Sequence, residues 1–125
     1  MVKPMRFLIV EDEWLIADGI EQVLLGAGHV VVGTVATVKQ AFEVIGAEAL
    51  DAVVLDGNLG GQSAEPIADR LAAEKIPFVV VSGNGTMERP GGLGTAPFLK
   101  KPFSPHALLK MISFWMLDES QRNMS

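Results

Sequence analysis

The chain has 125 residues, a formal net charge of −5 and no cysteine. That length suits one domain with a single core, and the missing cysteines exclude a disulfide framework, a thiolate zinc site and a thiol nucleophile. Lys and Arg are scattered through an acidic chain, so no footprint for a phosphate backbone exists and direct nucleic-acid binding is not expected. The apolar runs fall far short of the roughly 20 residues that span a bilayer. The one near the start meets Glu11 too soon for a signal peptide. No membrane insertion and a cytoplasmic location are expected.

In chain order, Phe7 to Val10 reads as a strand. Trp14, Leu15, Ile16, Ile20, Val23 and Leu24 follow at three- and four-residue steps, a first helix that Gly26 and Gly28 stop. The run Val30 to Gly33 is a second strand, after which Thr37 can cap a helix carrying Ala41, Phe42, Val44 and Ile45. Ala52 to Leu55 is a third strand. Ser63 can cap a third helix, with Glu65 in its first turn and Ile67, Ala68 and Leu71 facing inward. Phe78 to Val81 is a fourth strand. The connection after it, from Gly83 to Gly94, holds five glycines and a proline, so a normal helix is not expected there. A short fifth strand, Pro97 to Leu99, precedes Ser104 and Pro105, which open a last helix with Leu108, Leu109, Ile112, Trp115 and Met116 as its core face. The polar end from Asp118 is expected to fray, giving a domain of residues 5–120 and a polar tail of 121–125.

Runs of period two or none alternating with segments of helical period predict an α/β fold with a doubly wound parallel sheet. Polar residues follow the strands: Glu11 and Asp12 the first, Asp56 the third, Ser82 the fourth, Lys100 and Lys101 the fifth. In a parallel sheet these ends share one edge, and ligands bind there where strand order reverses. If the order is 2-1-3-4-5, three carboxylates converge. Either raised pKa values or a cation must relieve their repulsion, and a hard divalent ion held by few protein oxygens is magnesium rather than calcium. With the charge neutralised, the site can attract a phosphoryl group.

Glu11-Asp12, Asp56, Ser82 and Lys101-Pro102, in this order and spacing, make the chain resemble the response-regulator receiver family along essentially its whole length. The resemblance implies a flavodoxin-like five-stranded sheet, and the glycine-rich segment, where the family usually has a fourth helix, predicts a degenerate one. It implies Asp56 as phosphoacceptor, Asp12 and Asp56 as Mg2+ ligands, Glu11 as a ligand directly or through water, and the Asn58 carbonyl completing the set. Ser82 would hydrogen-bond the phosphoryl group, Lys101 would pair with it, and a cis bond before Pro102 would aim that lysine. Phe98 matches an aromatic switch position. Glu11 stands where the family more often has aspartate, and residues 97–103 are similar to the Pro-Phe-x-x-Lys-Pro-Phe signature of a stand-alone subgroup. Implied partners are a histidine kinase or histidine phosphotransfer protein and an unknown downstream protein. The chain would be no enzyme beyond assisting its own magnesium-dependent phosphorylation and dephosphorylation. The switch would be an ordering of residues 83–96.

Blander readings stand beside these. Phe98 is equally a core aromatic, Trp14 is either core or exposed near the acidic pocket, and Lys100 is a solvated neighbour of Lys101. His29 and His106 read as surface or capping residues. The glycine-rich segment lacks the spacing of a phosphate loop. A flavin- or nucleotide-binding protein would use the same crevice, but Glu11 and Asp12 would repel a ligand phosphate. A phosphorylation-independent adaptor with a receiver fold is the alternative function.

Overall fold

The computed structural model describes residues 4–83 and 96–123, with side chains described up to Phe114 in the last helix. Five strands form one parallel sheet: β1 (Arg6–Val10), β2 (Val30–Val35), β3 (Ala52–Asp56), β6 (Phe78–Ser82) and β7 (Phe98–Lys100). A two-stranded hairpin, β4 (Asn58–Leu59) and β5 (Gln62–Ser63), follows β3. The sheet order β2-β1-β3-β6-β7 is the expected 2-1-3-4-5 once the hairpin strands are counted. Four helices are described: α1 (Trp14–Gly26), α2 (Val38–Ala47), α3 (Glu65–Ala73) and α4 (Pro105–Asn123). None is long and apolar enough to cross a membrane.

The central strands are apolar at nearly every position because helices cover both faces of the sheet. Alternate residues go to opposite layers. Leu8, Val10, Val53, Leu55, Phe78 and Val80 pack with Ala41 and Ile45 of α2 and Ile67, Ala68 and Leu71 of α3. Phe7, Ile9, Ala52, Val54, Val79 and Val81 pack with Ala17, Ile20 and Leu24 of α1 and Leu108 and Ile112 of α4. Each large aliphatic side chain among these, fully buried, contributes about 1.5–3 kcal/mol relative to exposure.

The helix starts follow the capping residues closely. Thr37 Oγ1 accepts from the Gln40 amide at 3.1 Å, and Gln40 Oε1 accepts in return from the Ala36 amide at 3.0 Å. Ser104 Oγ accepts from the Ala107 amide at 3.1 Å, with Pro105 first in α4. Ser63 Oγ accepts from the Glu65 amide at 3.1 Å, although the capping position of α3 is Ala64, one residue on. Of the two readings of Trp14, the exposed one holds: Trp14 and Leu15 are 77% and 68% exposed, and the inward stripe of the first helix starts at Ala17. The fifth strand lies one residue later than expected, and α4 runs on to Asn123. The degenerate fourth helix and all but the ends of the switching segment 83–96 fall outside the described residues, as do the side chains of Trp115 and Met116 and the last two residues of the 121–125 tail.

Candidate functional site

The sheet order reverses at β1, which has β2 on one side and β3 on the other. The crevice beyond their carboxyl ends is where such sheets bind ligands. Val10 pairs with Leu55, so the residues that follow, Glu11 and Asp56, emerge side by side. The Glu11 amide donates to the Val35 carbonyl at 2.9 Å, which continues the β1–β2 ladder and leaves the side chain at the sheet edge. Glu11 and Asp56 are buried and Asp12 is exposed, yet one carboxylate oxygen from each lies within 4.8 Å of the others.

Each carboxylate is oriented by local backbone. Asp56 Oδ1 accepts from the Asn58 amide at 3.1 Å, an Asx-type contact that turns the chain sharply after β3. Asn58 Oδ1 in turn accepts from the Gly61 amide at 2.8 Å, closing the hairpin at Gly60 and Gly61, whose φ values of +59° and +91° suit glycine. The hairpin brings the Gly60 amide to Asp12 Oδ2 at 3.0 Å. Glu11 Oε2 accepts from the Glu13 amide at 3.1 Å.

Ser82 and Lys101 enter from β6 and from the turn after β7. The Gly57 amide donates to the Val81 carbonyl at 3.0 Å, and a Cβ on Gly57 would stand 3.9 Å from Ser82 Oγ, so the hydroxyl borders the residue after Asp56. The Lys101 amide donates to the Ser82 carbonyl at 2.8 Å, and the Lys101–Pro102 peptide is cis, as the resemblance implied. Lys101 Nζ lies 2.7 Å from Glu11 Oε1, 3.3 Å from Asp56 Oδ2 and 3.3 Å from Glu13 Oε1. The first contact is an ion pair without the angular geometry of a hydrogen bond, so buried Glu11 Oε1 keeps an unused acceptor. Lys100 is exposed.

Charge is unbalanced here. Burial pushes Asp56 up to about 7, helped by a hydrogen bond with the Glu11 carboxyl and by the Glu11 charge, while the Asn58 amide and Lys101 pull it back. Burial alone would lower Lys101, but the carboxylates of Glu11 and Asp56 together outweigh it and hold the ammonium above its ordinary value. Three converging carboxylates, one carrying an unused buried oxygen, are a donor set that fits a hard divalent cation.

Glu11, Asp12, Asp56, Asn58, Ser82 and Lys101 thus gather at one edge. Phe98 is half-buried in β7, paired with Val80 and packed on the layer of α2 and α3. Two residues that the sequence pattern did not single out also belong here. Glu13 reaches Lys101, a contact across 88 residues that no local pattern reports, and Gly60 donates to Asp12, for which the Gly60-Gly61 hairpin signal was available. His29 corrects an expectation: it is 7% exposed, at the far edge of the sheet. There its Nδ1 accepts from the Met5 amide at 3.2 Å and its ring meets Phe7 edge-on. His106 is exposed.

Comparison with known proteins agrees with this geometry. The family model described as the response regulator receiver domain matches residues 7–113. The transcriptional regulatory protein PdtaR of Mycobacterium tuberculosis is 30% identical over 113 residues, 87% of this chain and 55% of PdtaR, so the chain spans about half of that relative's length. The solution structure of SdrG from Sphingomonas melonis Fr1 is similar with a TM-score of 0.79 and 38% identity, covering 90% of this chain and 97% of SdrG. The response regulator PhyR from Brucella abortus gives 0.80 and 31%, over 95% of this chain and 51% of PhyR. With its sheet order, its acidic edge and a family match over most of its length, the chain belongs to the response regulator receiver domain family.

Proposed function

We propose that this chain is a two-component signalling receiver that takes a phosphoryl group onto Asp56 from a phosphohistidine and thereby switches a protein–protein interaction. The observation that carries the reading is the seat of Asp56: a buried carboxylate at the end of β3, 3.3 Å from the Lys101 ammonium and inside a three-carboxylate cluster. Glu11, Asp12 and Asp56, with the Asn58 carbonyl, would hold Mg2+. When bound, the cation supplies the positive charge that lets Asp56 ionise and an anionic phosphoryl group approach.

In the transfer, an Asp56 carboxylate oxygen attacks phosphorus as the bond from phosphorus to the donor histidine nitrogen breaks. The imidazole leaves with that bonding pair and regains its proton from solvent. Lys101 then faces the new phosphoryl oxygens across the short distance it now spans to Asp56. Ser82, whose hydroxyl borders Gly57, would donate to another. Phe98 would relay the change toward the partner. The donor is a histidine kinase or histidine phosphotransfer protein, the acting unit residues 5–120, and the setting cytoplasmic.

Intact mass spectrometry after incubation with phosphoramidate and magnesium tests this. Wild type should gain one phosphate, lose it when the metal is chelated beforehand, and Asp56→Asn should gain none. If Asp56→Asn gains phosphate at the wild-type rate, Asp56 is not the acceptor. If wild type gains none, the chain acts as a phosphorylation-independent adaptor.

A further inference from the structure

We infer that Glu13 is a positioning residue that competes with the phosphoryl group for the Lys101 ammonium, an inference that rests on Asp56 being the acceptor. An ammonium has three donors, and among the described residues Lys101 Nζ has three carboxylate partners, Glu11 at 2.7 Å, Asp56 at 3.3 Å and Glu13 at 3.3 Å. Nζ donates hydrogen bonds to Asp56 and Glu13 and pairs with Glu11 by charge, so a phosphoryl oxygen on Asp56 that draws the ammonium toward itself lengthens one of the other two contacts.

Which one yields follows from burial. The Glu11 and Asp56 side chains are 0% and 4% exposed, whereas that of Glu13 is 61% exposed. Abandoning a buried carboxylate leaves an uncompensated charge out of water, but the Glu13 carboxylate is rehydrated at once when released. Its place at the mouth is set by the Glu13 amide, which donates to Glu11 Oε2 at 3.1 Å as the chain enters α1. Glu13 therefore anchors Lys101 weakly and reversibly on the solvent side, and competes with the phosphoryl oxygens for it.

Removing that competitor should speed phosphorylation. Glu13→Gln keeps the size and the backbone contact, and at low salt should raise the rate at saturating acetyl phosphate and magnesium by about two- to five-fold, the span of an exposed ion pair. The advantage should vanish near 1 M salt, where the screening length is about 3 Å. Asp18→Asn removes an equal charge from an exposed position farther along α1, and should leave the saturated rate as in wild type. The inference is overturned if Glu13→Gln matches wild type at every salt concentration, or if Asp18→Asn reproduces the gain, since a general field would then be responsible. Both rates are measured on protein whose phosphoryl label maps to Asp56. Absence of that label in wild type removes the acceptor reading itself, a separable result.

Discussion

At the scale of single residues, burial decides which titratable groups matter. His29 follows a glycine in an apolar stretch and reads as a surface residue, yet the close of α1 tucks it under β1, where Nδ1 accepts from the Met5 amide. Burial lowers its pKa. A folded-state pKa below the unfolded value means the group's contribution is fully present above about 6.5 and is lost as pH falls through the lowered folded value. Replacing it by leucine leaves the Met5 amide unpaired, at a cost of about 1–3 kcal/mol. Urea unfolding should show that gap between wild type and His29→Leu at pH 8, and the gap should shrink toward pH 5. A gap that widens in acid would mean the ring is charged in the fold.

At the scale of elements, helix boundaries follow local chemistry while exposure follows packing. Thr37 and Ser104 cap α2 and α4 because a short hydroxyl side chain meets orphan amides two or three residues on, a contact within reach of neighbours in sequence. Thr37→Ala should lower stability by about 1 kcal/mol in urea unfolding, and Thr37→Ser by far less, because serine retains the acceptor. Equal losses would mean the methyl group, not the hydroxyl, holds α2. The exposed first turn of α1 is the counter-example: Trp14 and Leu15 have the right period, yet they are 77% and 68% exposed while Ala17, Ile20 and Leu24 of the same helix are buried. The β4–β5 hairpin likewise depends on Asn58 meeting Gly61 and on Gly60 meeting Asp12, so one of its anchoring contacts comes from outside the hairpin, from the residues that follow β1.

At the scale of the molecule, the acidic edge is a place where the fold works against itself. Asp56, pushed up to about 7 from an ordinary 3.8, binds its proton more tightly folded than unfolded. Its contribution to stability is therefore full below about pH 4 and lost as pH rises through about 7. Without divalent cation, wild type should lose on the order of 1–3 kcal/mol of stability relative to Asp56→Asn between pH 5 and pH 8. Magnesium at 100 times its Kd should restore about 2.7 kcal/mol at pH 8 in wild type and clearly less in the variant. A midpoint at pH 8 that ignores magnesium would mean that the fold binds no cation, and an equal shift in wild type and variant would place the cation elsewhere. The five strands of the main sheet and the polar residues after four of them were legible in the amino-acid sequence alone, because a fully covered parallel strand must be apolar and its ligand-binding groups must fall just past its end, whereas the β4–β5 hairpin was not foreseen. Glu11, Asp12, Asp56, Ser82 and Lys101 could be picked out in this way. What the tertiary structure decided is everything set by approach across the chain. That Lys101 meets Glu13, that Glu11 is wholly buried while Asp12 is not, that His29 is enclosed and Trp14 bare, all depend on how layers stack around one sheet, and stacking distances leave no periodic trace in the residues that obey them.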